Sequence, residues 1–314
     1  MALRIRPWQL AAFLIVLCAG IVAGFFYYRS RISTSPSDLV AWLPIDDAVT
    51  VWVDVDALKQ LGILDALAGS QVTEEREYVS FVQQTGFDYR EDLRAVGLAI
   101  RANRNGADKD VYAIAHGSFD WKLIYAYFKS HNGECAGAFC HMPASRPGRY
   151  ISLYPVRSDL LAFAVTDDPF GAYMVGRRPG KPSVAVPGGP IWVLLSSSAL
   201  HSKELLPEGT HAFASALEDA NRVALSLGPS GDHLQVSLDA DCRNVEDASR
   251  LQVQLEQTTD YLRRLIAREH QTPNPRDLSG VLTAGNFRRD DRHVLGTWPV
   301  GRPFIDAVVS GSSN

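Results

Sequence analysis

The chain has 314 residues, 46% of them hydrophobic and 21% charged, with a formal net charge of −4. That length accommodates one large globular domain or two small ones. Without a basic excess, a nucleic-acid partner is not expected, and four cysteines are too few for a disulfide-dense scaffold.

The first strong signal is LAAFLIVLCAGIVAGFFYY, residues 10–28, which carries no charge. As a helix it would be roughly 30 Å long, about one hydrocarbon core. Trp8 precedes it, Phe25, Phe26, Tyr27 and Tyr28 close it, and Arg4, Arg6, Arg29 and Arg31 flank it. Interfacial aromatics and flanking cations suit a retained membrane anchor. A cleaved signal peptide is the rival, with Val22-Ala23-Gly24 as the cleavage region. A lipoprotein reading through Cys18 fails on the bulky Leu17 before it. The expectation is a basic cytoplasmic tail (1–9), a transmembrane helix (10–28) and a linker (29–38). The bulk of the chain is then extracytoplasmic, on a single-pass protein of the inner (cytoplasmic) membrane.

Beyond residue 38, strand and helix signals alternate. VTVWVDV (49–55) alternates as a half-buried strand does, and helices are expected over 57–67 and 74–84. Strands follow at 95–100 and 111–115. SFDWKLIYAYFKS (118–130) has helical spacing, with Ser118 as its expected cap. Strands are expected at 150–156 and 160–165, then a short helix after Asp168-Pro169-Phe170. RRPGKPSVAVPGGP (177–190) reads as a linker or long loop.

After it come a strand at 191–195, helices at 199–206 and 211–220, and strands at 222–227 and 234–240. A long helix is predicted over 245–267, with Leu251, Leu255, Thr258, Leu262 and Leu265 as its apolar stripe. Strands at 281–287 and 293–298 and a last helix after Arg302-Pro303-Phe304 complete the order. The two halves, 39–176 and 191–314, share one order of elements. The expectation is therefore an α+β fold with an N-terminal transmembrane helix and an internal duplication. Each half would hold its own mostly antiparallel sheet covered by helices.

LVAWLPIDDAVTVWVDVDALKQLGIL (39–64) and FVQQTGFDYREDLRAVGLAI (81–100) resemble segments of uncharacterised single-pass, membrane-anchored bacterial envelope proteins. In these, a Leu-Pro, an alternating strand and an Asp-x-x-x-Leu helix start follow one anchor helix. The resemblance covers about a third of the chain and implies location and fold, with no catalytic residue and no ligand.

The chain has no Gly-x-Ser-x-Gly elbow, no His-Glu-x-x-His and no phosphate loop ending in Lys-Ser/Thr. GRRPGKPS (176–183) comes nearest to the last, but its prolines remove backbone donors. Asp46, Asp47, Asp54 and Asp56 form an acidic cluster, in which Asp54 and Asp56 are placed to share a face and Asp56 to cap a helix. Asp167-Asp168 and Asp290-Asp291 mark turns. Ser196, Ser197 and Ser198 suit helix capping better than nucleophilic attack with a distant His116 or His211.

HNGECAGAFCHM (131–142) carries the densest chemistry. Three readings apply. Cys135 and Cys140 can form a disulfide, which an oxidising compartment permits and which closes a short loop for about 2 kcal/mol. His131, Cys135, Cys140 and His141 can be written as zinc ligands, although adjacent Cys140 and His141 are awkward together. Cys135-Ala-Gly-Ala-Phe-Cys140-His141 can be written as a widened haem attachment with His141 axial. Cys242 has no evident partner.

The functional expectation is a membrane-anchored extracytoplasmic binding or scaffolding protein without catalysis and without a cofactor. Its partners would be the bilayer, through residues 10–28, and a protein, peptide or lipid ligand. The alternatives are an anchored, hydrolase-like envelope enzyme with an unrecognised site and a haem or metal protein built on 131–142.

Overall fold

The computed structural model describes residues 35–64, 76–103, 108–177, 185–202, 205–206, 215, 217–231, 233–269 and 272–309. The apolar run at 10–28 lies outside these. No helix among the described residues is long and apolar enough to cross a membrane.

The fold is organised by one antiparallel sheet of twelve strands, which corrects the expectation of a separate sheet in each half. The strands are β1 (Val49–Asp54), β2 (Leu93–Ala102), β3 (Lys109–Gly117), β4 (Glu134–Ala136), β5 (Phe139–Pro143) and β6 (Tyr150–Arg157). They continue with β7 (Leu160–Thr166), β8 (Ile191–Ser196), β9 (Ala220–Ser230), β10 (His233–Cys242), β11 (Asn286–Asp290) and β12 (His293–Val300). Their order is β11-β12-β10-β9-β8-β1-β2-β3-β7-β6-β5-β4. The halves are wings of this sheet, and β1 and β8 join them at a seam, pairing Val49 with Leu195 and Val53 with Ile191.

The seam follows from side-chain chemistry. Val49, Val51 and Val53 fill one face of β1, while Thr50 and Trp52 fill the other and are both almost fully buried. A strand that is apolar on both faces is unstable at an open edge, so β1 is central. Trp52 sits directly opposite Trp192 of β8, with ring centroids 6.2 Å apart and nearly parallel. On its other side Trp52 faces Gly97 of β2. A β-carbon on Gly97 would lie 3.2 Å from Leu43 and 3.4 Å from Trp52, so the glycine makes room for the indole.

Ten helices are defined among the described residues: α1 (Pro36–Val40), α2 (Val55–Gln60), α3 (Arg76–Thr85), α4 (Tyr89–Asp92), α5 (Trp121–Ser130), α6 (Gly171–Gly176), α7 (Ser197–His201), α8 (Val245–Arg268), α9 (Leu278–Thr283) and α10 (Arg302–Val309). They treat the two faces of the sheet differently. On one face, α5 packs Ile124 and Phe128 on Cys140, Met142 and Leu153. Further along that face, α7 and α8 bury Ala199, Leu200, Ala248, Leu251 and Leu255 against Val223, Leu238 and Val294. On the opposite face, Leu39 and Val40 of α1 and Val175 of α6 cover the Trp52–Trp192 seam together with Ile114, Leu160 and Ala162. Among the described residues no helix continues over the second wing there. Of the described residues, the segment 185–189 crosses it as a strap.

Candidate functional site

Strand alternation decides what the uncovered wing presents. In register across it lie Trp192, Ser226 and Ser237, then Thr297 and Asn286. The next row is Leu194, Ala224, Asp239, Leu295 and Arg288. The row beyond is Ser196, Arg222, Asp241, His293 and Asp290. With the strap above them, these rows floor a cavity of about 370 Å³ lined by Val186, Pro187 and Gly188 and by Arg222, Ser226, Ser237, Asp239, Asn286, Arg288 and Thr297 among others. That volume lies within the range of small-molecule sites, roughly 300–1,000 Å³.

Glycine holds the strap down. Gly189 has φ +102°, and a β-carbon there would sit 2.8 Å from the Leu227 carbonyl oxygen. Gly228 of β9 leaves space directly under it, with the Gly189 Cα 3.6 Å from where its own β-carbon would stand. The strap ends at Pro190, whose carbonyl accepts from Asp54 N–H at 2.7 Å. Pro187-Gly188-Gly189-Pro190, legible only as a loop in the sequence, is thus the roof of the groove.

Two acidic residues of these rows, Asp239 and Asp241, have cationic or imidazole neighbours. His293 Nδ1 lies 2.8 Å from an Asp239 carboxylate oxygen, and its Nε2 lies 3.8 Å from Asp241. Arg292 Nε lies 3.1 Å from the same Asp241 oxygen, close enough to pair but not aligned for a hydrogen bond. Only the Asp239 contact is a hydrogen bond; His293 Nε2 is near Asp241 but beyond hydrogen-bond reach. Arg222 and Arg288, by contrast, have no ion-pair or hydrogen-bond partner among the described residues.

The 131–142 segment is a hairpin. Cys135 of β4 faces Cys140 of β5 directly, their Cα atoms are 4.1 Å apart, and they form a disulfide. Both sulfurs lie on the α5 side of the sheet. His141 alternates to the opposite face, where it pairs with Glu134 at 3.9 Å and packs on Phe139. His131 caps the end of α5, its Nδ1 2.9 Å from the Tyr127 carbonyl. His131, Cys135, Cys140 and His141 therefore do not converge, and among the described residues no three His, Cys, Asp or Glu side chains gather to hold a metal. Cys242 is buried and reduced, and burial pushes its thiol up to about 11.

The other sequence candidates resolve into local roles. Asp54 caps α2 by accepting from Ala57 N–H at 2.9 Å, whereas Asp56, the expected cap, lies within the helix beside Lys59. Asp54 and Asp56 thus share no strand face. Ser196 caps α7, accepting from Ala199 N–H at 3.3 Å, and Ser198 donates to Asp47 at 2.9 Å. Asp120, not Ser118, caps α5. Asp291 takes a left-handed φ of 53° in the β11–β12 turn. His116 pairs with Asp159 at 3.5 Å, and His211 lies outside the described residues. A second, more open hollow of about 540 Å³ is lined by Phe87, Phe119 and Trp121 with Asp92 and Asp120. Both of its carboxylates already accept backbone N–H groups, of Asp88 and Leu123.

No family model matches the chain, and no curated protein matches it. Among solved structures it is similar to crystal form I of TP0453, at 11% identity and TM-score 0.48, over 90% of this chain and 100% of that one. Crystal form III of TP0453 gives 11% identity and TM-score 0.47, over 89% and 100%. At that level the likeness carries no functional weight.

Proposed function

We propose that this is a membrane-anchored, extracytoplasmic binding protein without catalytic activity, and that the strapped groove of the second wing is its ligand site. The groove carries the reading. It is a roofed hollow on the part of that face where no helix lies among the described residues, and hydroxyl, amide, guanidinium and carboxylate groups stand among its apolar lining. Concave sites with a few placed polar groups are where small ligands settle. The lining mixes apolar side chains with a few polar and charged groups, which suits a small ligand that presents both kinds of surface. The apolar run at 10–28 supports an anchor. The Cys135–Cys140 disulfide supports an oxidising compartment.

The test is a ligand-observed NMR screen with a fixed set of sugars, amino acids, organic acids and their phosphates. It compares the full chain with Ser237→Trp, which plugs the middle of the floor with a residue that strands accept. Ligands that bind the wild type and are lost in the variant place binding in the groove. Ligands that bind both proteins equally rule the groove out.

A further inference from the structure

With the groove as the ligand site, as proposed above, we infer that the molecule it takes is hydroxylated and carries an oxyanion, a phosphate or carboxylate, that Arg222 and Arg288 hold. Three charged residues line the cavity: Arg222, Asp239 and Arg288. Asp239 is hydrogen-bonded to His293 at 2.8 Å. Among the described residues the guanidiniums have no partner: Arg222 faces Asp241 in register, but that carboxylate stands beside Arg292 and His293 instead. The lining therefore presents two arginines without an ion-pair or hydrogen-bond partner among the described residues, beside one carboxylate already hydrogen-bonded to His293.

Guanidinium is the side chain best shaped for carboxylate and phosphate, because its fork offers parallel N–H donors. The remaining floor is also rich in donors. Ser226, Ser237, Thr297 and Asn286 form one row, two residues along the strands from the row that holds Arg288. Arg222 on β9 and Arg288 on β11 stand three strand spacings apart, about 14 Å at the backbone. They reach in from opposite sides, so the two guanidiniums close on the acidic group while the hydroxylated body lies along the serine–threonine row. The same chemistry occurs in a free sugar or polyol phosphate and in a phosphatidylglycerol headgroup.

The probe is glycerol 3-phosphate, with glycerol as its uncharged counterpart. Calorimetry is run on the full chain in phosphatidylcholine nanodiscs and in nanodiscs doped with phosphatidylglycerol. The phosphate is expected to bind and glycerol not to, with an affinity that falls as salt rises. Arg222→Gln and Arg288→Gln, each checked for an unchanged thermal midpoint, are expected to weaken binding by roughly tenfold. Weaker apparent binding in the doped discs assigns the lipid headgroup as the source, and equal binding in both assigns a free solute. Failure of the phosphate to bind, binding of glycerol equal to its phosphate, or indifference to both arginine variants overturns the oxyanion inference. Ser237→Trp separates the two readings. If it abolishes an arginine-independent binding, the groove stands and the oxyanion falls; if binding survives it unchanged, the groove falls as well.

Discussion

His116 shows how burial sets the behaviour of one side chain. It sits near the end of β3, 13% exposed, with the Asp159 carboxylate 3.5 Å away. Burial lowers its pKa, Arg94 and Arg157 push it the same way, and the pull of Asp159 does not compensate. Burial also pushes the Asp159 carboxyl up, but hydrogen bonds and charge from Arg157 outweigh that and leave it below the ordinary carboxylate value. The unfolded chain then binds a proton at His116 more readily than the folded one. The corresponding stability is complete above about pH 6.5 and is lost as pH falls below it toward the depressed value. The Asp159 contribution has the same sign but a lower window: it is present above about pH 4 and is lost as pH falls through the depressed carboxylate value. Urea midpoints measured between about pH 7 and pH 5 are expected to fall for the wild type and to fall less for His116→Gln. Equal slopes would assign the loss to another group. At this scale the sequence reveals residue types well and partners poorly. Asp54 and Asp120 have the right chemistry for caps, but each stands two residues from the position predicted, because Asp and Ser neighbours satisfy the same rule. Arg222 and Arg288 belong to strands that are not neighbours, so no spacing along the chain brings them together.

Elements show which patterns are legible. Long alternating strands such as β10 and the periodic α8 lie where the pattern predicts them. Thr259, not Thr258, completes the buried stripe of α8, and Leu265 is exposed near its C-terminal end. The expected strand over 281–287 is mostly helix α9 and the turn after it. Asp277 accepts from Ser279 N–H at 2.8 Å and starts a helical turn in a run whose apolar residues fit either period. The β4–β5 hairpin leaves no pattern in the sequence because β4 has three residues, too few for alternation to register. Its cysteines were legible, and their pairing has a consequence. β4 is an outer edge of the sheet, held by β5 alone, and the disulfide staples it. The double variant Cys135→Ala/Cys140→Ala is expected to lower stability by about 2 kcal/mol on the chain-entropy model. Amide exchange should concentrate the loss in 134–143, with a smaller effect in strands near the seam. An unchanged urea midpoint with unchanged exchange would deny the staple any part in stability.

At the scale of the whole molecule, the central fact is where the halves meet. Alternation identifies both β1 and β8 as strands but does not name a strand's partner, and so one sheet reads as two. Their pairing makes the cores continuous: Val49 of β1 packs with Leu195, Leu217 and Leu238, and Trp192 of β8 packs with Trp52, Ala95 and Ile114. A buried Trp removes about 150–250 Å² from water, worth about 4–6 kcal/mol on area grounds. A gross term of that size is comparable with the whole net margin of about 5–15 kcal/mol between folded and unfolded domains, so loss of either indole would be felt. The covalent link through 177–190 is then unnecessary for holding the wings together once they have folded. A protease site placed between Gly180 and Ser183, cut after folding, is expected to leave two fragments that co-elute on size exclusion. They should unfold in one urea transition and separate only in denaturant. Trp192→Ala, which removes one indole of the stack and leaves a cavity costing roughly 3–5 kcal/mol, is expected to let the cut halves part at lower urea. Separation of the cut wild-type halves in buffer alone would mean that the chain connection, and not the β1–β8 seam, holds the sheet as one body.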